Sequence, residues 1–201
     1  MKNWRNEYIP AYINMNIPNS LTIFRIILIP VFVIVFYLPA SWSNIIACII
    51  FSLAAITDLL DGYLARKLGQ ISKLGEFLDP VADKLMVAVV LVLLVAKDPR
   101  IIMVIPAAVI IGREITVSAL REWMAELGAR SKVAVSVYGK IKTIAQMIAL
   151  ILLVFKQDLF GLPVYNIGMV CLYIATILTL LSMFQYISSA LPRLIETNTK
   201  Q

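Results

Sequence analysis

Six apolar stretches of near bilayer-spanning length follow one another along the chain, separated by short polar segments. About 20 apolar residues of helix cross the hydrocarbon core of a membrane. The composition agrees, because 61% of the 201 residues are hydrophobic and only 15% are charged, whereas a soluble domain has about 25% charged residues. The sequence therefore predicts an all-α integral membrane protein and excludes the soluble enzyme folds. The predicted six-transmembrane-helix bundle has its spans at roughly 21–39, 43–61, 80–97, 100–120, 134–155 and 163–187.

Basic residues are distributed unequally between alternate polar segments. Ten lie in the two tails and in the second and fourth loops, namely Lys2, Arg5, Arg66, Lys67, Lys73, Arg121, Arg130, Lys132, Arg193 and Lys200. Only three, Lys97, Arg100 and Lys156, lie in the opposite loops. Because basic residues accumulate on the cytoplasmic side, both termini are predicted to be cytoplasmic. The net charge of +6 is explained by topology and anionic lipids. No basic run with interleaved aromatic residues suggests a nucleic acid partner.

The residue counts exclude several kinds of site. The chain has no histidine, which excludes the Ser-His-Asp triad and every His-ligated zinc or haem site. Cys48 and Cys171 are far apart within apolar runs, and we interpret them as small buried residues rather than a disulfide. The carboxylates are therefore the main candidates for catalytic chemistry.

Four of the twelve acidic residues form two closely spaced pairs, Asp58 with Asp61 and Asp79 with Asp83. A charge at membrane depth costs at least about 2.5–3.5 kcal/mol, and such charges are usually functional. Residues three or four apart share a helix face, so both pairs are predicted at the cytoplasmic ends of the second and third spans. Converging carboxylates repel one another, whereas oxygen-only ligands suit hard cations such as Mg²⁺, Mn²⁺ or Ca²⁺.

The start of the third span is open to two interpretations. If the helix is continuous, Gly75 lies on the same face as Asp79 and Asp83. Alternatively, Pro80 occupies the first helical position with Asp79 as its N-cap, and Gly75 belongs to the preceding turn.

Small and basic residues lie between the two acidic pairs. Gly62 and Ala65 remove side-chain bulk beside Asp61, which permits close approach of a helix or ligand. Arg66 adds a planar donor fork suited to phosphate. The structural alternative is that the acids only pair with basic neighbours at the interface.

The run Asp58-x2-Asp61-Gly62-x2-Ala65-Arg66-x8-Gly75-x3-Asp79-x3-Asp83 is similar, at all eight of its positions, to the signature of the CDP-alcohol phosphotransferase family. Residues 16–25, 112–123 and 139–143 also resemble the bacterial phosphatidylglycerophosphate synthases of that family. The resemblance covers about residues 16–190 and predicts one catalytic domain there. Residues 1–15 would form an amino-terminal membrane-surface segment or extension, and residues 191–201 a polar cytoplasmic tail.

The resemblance implies a reaction between CDP-diacylglycerol and sn-glycerol 3-phosphate, which gives phosphatidylglycerol phosphate and CMP. It implies two Mg²⁺ or Mn²⁺ ions held by Asp58, Asp61 and Asp79, with Asp83 contributing to metal binding and acting as base. Gly62, Ala65, Arg66 and Gly75 would accommodate CDP-diacylglycerol. The family further implies a homodimer in the bacterial cytoplasmic (inner) membrane, with the active site facing the cytoplasm.

Polar residues of three other spans complete the predicted site. Asn19, Thr22 and Arg25 share one face of the first span, where they would contact the nucleotide, although Asn19 is equally suited to cap the helix. Arg113, Arg121, Lys140 and Lys142 are candidates for binding the phosphate of the acceptor. Positions 113 and 121 differ by about 80° around a helix, whereas positions 140 and 142 differ by about 160°. Only one of the two lysines is therefore expected to reach the site, and snorkelling is the alternative role for each basic residue.

Two other functions compete with this hypothesis. One alternative is the same chemistry with serine, inositol phosphate or phosphatidylglycerol as the acceptor alcohol, although the basic residues favour an acceptor that carries phosphate. A divalent-cation transporter would also concentrate acids in a membrane, but its site would lie nearer the bilayer midplane.

Overall fold

The computed structural model describes residues 17–68, 73–126 and 137–198. These residues form six helices and no strand, apart from an isolated bridge between Leu159 and Leu162. The all-α prediction is confirmed, and each helix overlaps one predicted span. The predicted segment 1–15 lies outside the described residues, as do the last three residues of the tail. The helices are α1 (Ile17–Tyr37), α2 (Ser43–Leu68), α3 (Lys73–Lys97), α4 (Ile101–Glu126), α5 (Val137–Phe155) and α6 (Val164–Asn198).

Three stretches of the described helices are long and apolar enough to cross a membrane: Asn19–Tyr37, Ile101–Ala125 and Val164–Ser188. Ser43–Asp58 and Ile141–Phe155 are shorter apolar helical stretches. The membrane character predicted from the sequence therefore agrees with the structure at the level of several apolar helices.

Helix α3 passes through Pro80 without interruption. Proline has no N–H to donate to the carbonyl four residues earlier, but the remaining turns continue on both sides of it. The version in which Pro80 begins the helix and Asp79 caps it is therefore wrong, and the continuous version is correct. Asn19 likewise lies inside α1, so its alternative role as an N-cap is also wrong.

The helices pack around an apolar core to which all six of them contribute. Helix α1 packs on α2 and α3, helix α5 packs on α2, α3 and α6, and helix α4 packs on α3 and α6. Phe32 of α1 is fully buried and stacks on Phe36 with ring centroids 5.6 Å apart. Its ring also lies 6.4 Å from that of Phe51 on α2. This packing presents one face of α1 to the acidic ends of α2 and α3.

Helices α5 and α6 form a closely packed hairpin. A Cβ atom added to Gly168 would lie 3.0 Å from Cγ of Leu153 and 3.1 Å from Cβ of Leu152. The connecting loop turns through three residues with positive φ, Lys156 at 60°, Phe160 at 52° and Gly161 at 78°. Small residues permit close helix approach in membrane proteins, and Gly168 allows α6 to pack closely against α5.

Candidate active site

A polar face of α1 is buried against α2 and α3. Asn19, Thr22 and Arg25 follow one another at intervals of three residues, and their exposed fractions are 2%, 0% and 1%. Side chains three apart project from neighbouring positions of a helix. The prediction that these residues share one face is confirmed, and that face lies within the bundle.

Arg25 connects the acids of two different helices. Its Nη1 donates to Oδ1 of Asp58 on α2 at 2.9 Å, and it also donates to Oδ1 of Asp83 on α3. Thr22 donates its hydroxyl to Oδ1 of Asp79 at 2.5 Å. Three of the four predicted carboxylates thus meet α1 at one place. A buried guanidinium needs such partners, because an unpaired charge is costly in an apolar interior.

The chemistry of this site fits a divalent cation. Asp58 and Asp83 share one cationic nitrogen, so their oxygens can approach a common positive charge. Their side chains remain 30% and 39% exposed, which leaves lone pairs accessible, and carboxylate oxygens are the ligands that Mg²⁺ and Mn²⁺ prefer. Among the described residues, no three carboxylate or thiol groups are already grouped as metal ligands. Asp61 is outside that comparison, because its side chain is not described.

The remaining signature residues are only partly described. Positions 61–66 continue α2, but the side chains there lie outside the described part of the structure. The roles of Asp61, Gly62, Ala65 and Arg66 therefore stay predictions. Gly75 is buried in α3, one helical turn before Asp79, as the continuous-helix interpretation requires.

A second polar cluster joins α4, α5 and α6. Lys142 donates to Oε1 of Glu114 at 2.6 Å, and Arg113 donates through Nη1 to the same oxygen at 2.8 Å. The Nη2 of Arg113 donates to Oγ of Ser182 on α6 at 3.2 Å. The side chains of Lys142 and Arg113 are 5% and 11% exposed. Two of the four predicted acceptor-binding residues are therefore adjacent in the interior.

The other two predicted acceptor-binding residues lie elsewhere or are not described. Arg121 is exposed, and its guanidinium lies 5.8 Å from the ring centroid of Tyr186 on α6. The side chain of Lys140 is outside the described residues. Lys142 is buried, whereas the expectation that only one lysine of the pair reaches the acceptor site stays a prediction.

Glu114 is the member of this cluster that the sequence interpretation missed. It lies within the predicted fourth span, where an acid is expensive, and that cost was the available signal. Glu114 also lines a groove of about 250 Å³ between α3 and α4, together with Lys84 and Val87. Val87 in turn lines the cleft that contains Asp58 and Asp83. Glu114 and the acidic cleft therefore lie on either side of Val87.

Comparison of the sequence with known proteins assigns the chain to a family. A sequence profile described as CDP-alcohol phosphatidyltransferase matches residues 15–182. The chain belongs to this family. The resemblance noted in the sequence is thus confirmed, including its assignment to an enzyme class, and the described acid and base clusters both lie inside the matched region.

Several bacterial members of the CDP-alcohol phosphatidyltransferase family are close relatives. A protein of Escherichia coli (strain K12) is 51% identical over 181 residues, which cover 90% of this chain and 98% of that protein. Proteins of Shigella flexneri serotype 5b and Sodalis glossinidius are 51% and 52% identical, with the same coverage of both chains. All three are named CDP-diacylglycerol–glycerol-3-phosphate 3-phosphatidyltransferase.

Proposed function

We propose that this protein transfers the phosphatidyl group of CDP-diacylglycerol to sn-glycerol 3-phosphate, with phosphatidylglycerol phosphate and CMP as products. The names of the close relatives support this reaction. The observation that carries the proposal is the pairing of an acidic cleft, suited to metal-bound diphosphate, with a separate buried pair of cations. A phosphorylated acceptor needs both, because its hydroxyl reacts at one place while its phosphate is held at another.

The acidic residues would hold two Mg²⁺ or Mn²⁺ ions, with Asp58, Asp61, Asp79 and Asp83 as ligands. When bound, such ions polarise the diphosphate and stabilise the charge that develops during phosphoryl transfer. The positions of Asp58, Asp79 and Asp83 against one face of α1 support the assignment.

Asp83 would act as the general base. Its carboxylate takes the proton of the glycerol 1-hydroxyl as that oxygen forms a bond to the lipid-linked phosphorus. The bond between this phosphorus and the oxygen of CMP breaks, and CMP leaves with the electron pair. A carboxylate is sufficient for this step, since a hydroxyl near a divalent ion is more acidic.

The first helix would orient the lipid nucleotide. Arg25 and Thr22 contact the acids directly, so they fix the carboxylates and lie close to the diphosphate. Asn19 is buried on the same face and would contact the nucleotide. Gly62, Ala65 and Gly75 would leave room for it, and Arg66 would lie near its phosphates.

The acceptor phosphate would bind between α4 and α5. Arg113 and Lys142 share one carboxylate oxygen, so both cations can reach a single small anion. Arg121 and Lys140 would contribute at the cytoplasmic mouth of the same pocket. Two buried cations favour a dianionic phosphate over an acceptor without net charge, such as the zwitterion serine.

The proposed setting is the bacterial cytoplasmic (inner) membrane. All six helices would cross it, with both termini and the active site on the cytoplasmic side, as the distribution of basic residues predicts. We also propose that the enzyme works as a homodimer, which light scattering in detergent would test.

The reaction is tested with purified protein, CDP-diacylglycerol and radiolabelled sn-glycerol 3-phosphate. We expect label in the lipid fraction only when Mg²⁺ or Mn²⁺ is present. Asp83→Asn should lower kcat by about a thousandfold or more, because a positioned base contributes about 10²–10⁴ to a rate. Asp158→Asn is the control, since Asp158 lies exposed in the α5–α6 loop. Wild-type activity in Asp83→Asn, or label incorporated from serine and not from glycerol 3-phosphate, would contradict the proposal.

A further inference from the structure

Glu114 is a partly buried acid that the proposed reaction does not use. A single oxygen of its carboxylate accepts hydrogen bonds from both Lys142 and Arg113, at 2.6 and 2.8 Å. We propose that Glu114, with help from Ser182, is a positioning residue that prepares these two cations for the phosphate of the acceptor. The inference rests on the proposed function, because it concerns the binding of glycerol 3-phosphate at that site.

The donors of Arg113 are divided between fixed and available groups. Nη1 donates to Glu114 and Nη2 donates to Ser182. Its Nε is buried and has no hydrogen-bond partner among the described residues. A guanidinium carries five N–H donors in a rigid plane, so the two contacts fix the whole fork. They leave three N–H donors, one on Nη1, one on Nη2 and the Nε–H, whose directions are already set.

The N–H donors of Lys142 are likewise divided between one that is in use and others that are available. An ammonium group has three N–H donors, and the contact with Glu114 uses one of them. The rest can turn toward a second anion without breaking the contact. A phosphate oxygen at this cluster can therefore accept hydrogen bonds from Lys142 and from an unused Nη N–H of Arg113 while Glu114 stays in place.

Electrostatics explain why an acid is needed in a site for an anion. The buried cations Arg113 and Lys142 repel each other, and burial of unpaired charge is costly. With Glu114 the three side chains carry a net charge of +1 rather than +2. Because Nζ of Lys142 and Nη1 of Arg113 both contact Oε1 of Glu114, these two nitrogens are no farther apart than the sum of their distances to that oxygen. The two side chains are therefore already held together before the phosphate binds, and this preorganisation favours binding.

The location of Glu114 relates this pair to the reacting centre. Its side chain is 25% exposed and lines the groove that also contains Val87. Val87 is part of the wall of the acidic cleft with Asp83. Glu114, and with it the cation pair that it contacts, therefore lies across Val87 from the cleft that contains Asp83.

The experiment measures the two Michaelis constants of Glu114→Gln separately. The amide keeps the size of the side chain but removes the negative charge. Because a hydrogen bond between charged groups is about twice as strong as a neutral one, we expect KM for glycerol 3-phosphate to rise about tenfold to a hundredfold. KM for CDP-diacylglycerol should change less than about twofold, since the acids of α2 and α3 keep their partners. Glu114→Asp should restore part of the loss. Glu122→Gln, an exposed acid of the same helix, should have wild-type constants.

Ser182→Ala provides a second variant that leaves every charge in place. It removes only the contact to Nη2 of Arg113, and we expect KM for glycerol 3-phosphate to rise severalfold with KM for CDP-diacylglycerol unchanged. It also decides the question if Glu114→Gln does not fold. An unchanged KM for glycerol 3-phosphate in the folded variants, or an equal rise in both constants, would overturn the inference.

A binding measurement separates this inference from the proposed function. Thermal stabilisation of the protein by glycerol 3-phosphate reports binding without turnover. If the wild-type protein is neither stabilised by this acceptor nor able to use it, the proposed function fails. If the wild-type protein does both and Glu114→Gln is stabilised at the same concentration, the function stands and the role of Glu114 is refuted.

Discussion

At the scale of single residues, one hydroxyl of α1 supports a carboxylate of α3. Thr22 is fully buried and donates to Asp79 at 2.5 Å. Thr22→Val keeps the shape of the side chain and removes the donor. A hydrogen bond to a charged group contributes about 1.5–3 kcal/mol, so kcat/KM for CDP-diacylglycerol should fall about tenfold to a hundredfold. Steady-state kinetics test this, with Thr116→Val as control because the hydroxyl of Thr116 donates to the carbonyl of Gly112 in its own helix. Equal kinetics of the two variants would contradict the role of Thr22.

Arg25 depends on its shape as well as its charge. Its Nη1 is shared between acids of α2 and α3, and a planar guanidinium supports such sharing better than a compact ammonium. We predict that Arg25→Lys lowers kcat about tenfold to a hundredfold, equivalent to about 1.5–3 kcal/mol for a lost charge-assisted hydrogen bond. The same substitution at Arg100, an exposed residue of the α3–α4 loop, should leave kcat unchanged. If both variants keep wild-type turnover, charge alone suffices at position 25.

At the scale of elements, close packing of the α5–α6 hairpin depends on the absence of a side chain at Gly168. A Cβ at Gly168 would meet Leu153 at 3.0 Å, and overpacking of this kind costs about 1–3 kcal/mol. Gly168→Ala should therefore lower the thermal unfolding temperature in detergent. Gly112→Ala is the matched control, since nothing lies within 4 Å of its added Cβ and alanine favours a helix by up to about 1 kcal/mol. Equal unfolding temperatures for the two variants would show that the helices separate at little cost.

The same elements show how far sequence patterns predict this fold. Long apolar runs specify six helices within the described residues, because hydropathy alone identifies segments suited to a bilayer. The three-residue interval of Asn19, Thr22 and Arg25 identified a common face. The pattern did not identify which helices meet, since the partners Arg25 and Asp83 are 58 residues apart. It also allowed a helix start at Pro80, because a proline suits both a first turn and a kink.

The sequence predicted those residues of the candidate site that are charged, lie within apolar segments and recur at helical spacing. Asp58, Asp79 and Asp83 were identified in this way, and the structure brings them to one place. Glu114 was not identified, because an isolated acid in a span has no spacing to interpret. Its role depends on Lys142, which lies 28 residues away on another helix. Contacts of this kind come from packing rather than from local pattern.

At the scale of the whole molecule, an ionic contact joins the ends of three helices away from the candidate active site. Asp98, between α3 and α4, accepts from Nε and Nη2 of Arg100 at 2.7 Å each, and from the hydroxyl of Tyr165 at the start of α6. The hydrogen bonds from Arg100 are the main reason that the pKa of Asp98 lies well below its ordinary value. This carboxylate therefore stabilises the fold when it is ionised.

The depressed pKa predicts how stability depends on pH. A carboxyl group whose pKa is lower in the folded state stabilises the fold above its unfolded pKa, about 3.9, and loses this effect as the pH falls below it. Asp98→Asn should thus unfold at a lower temperature than the wild type from pH 8 to about pH 5, by a similar margin throughout. The margin should shrink below about pH 4. Asp158→Asn, in the exposed α5–α6 loop, should show no such margin. A margin that does not change with pH would mean that the amide disturbs packing instead.

The orientation of the bundle in the membrane leads to the last prediction. Ten basic residues lie in the segments assigned to the cytoplasm and three in the opposite loops, so the α5–α6 loop should lie outside and the end of α4 inside. Phe160, 94% exposed at the tip of that loop, and Glu122, exposed near the end of α4, are suitable positions for single cysteines once Cys48 and Cys171 are replaced by alanine. In intact cells whose outer membrane has been made permeable, a charged maleimide should label Phe160→Cys and not Glu122→Cys. Both should react after the inner membrane is disrupted. Labelling of Glu122→Cys alone in the intact cells would reverse the orientation and place the acidic cleft on the wrong side for a cytoplasmic acceptor.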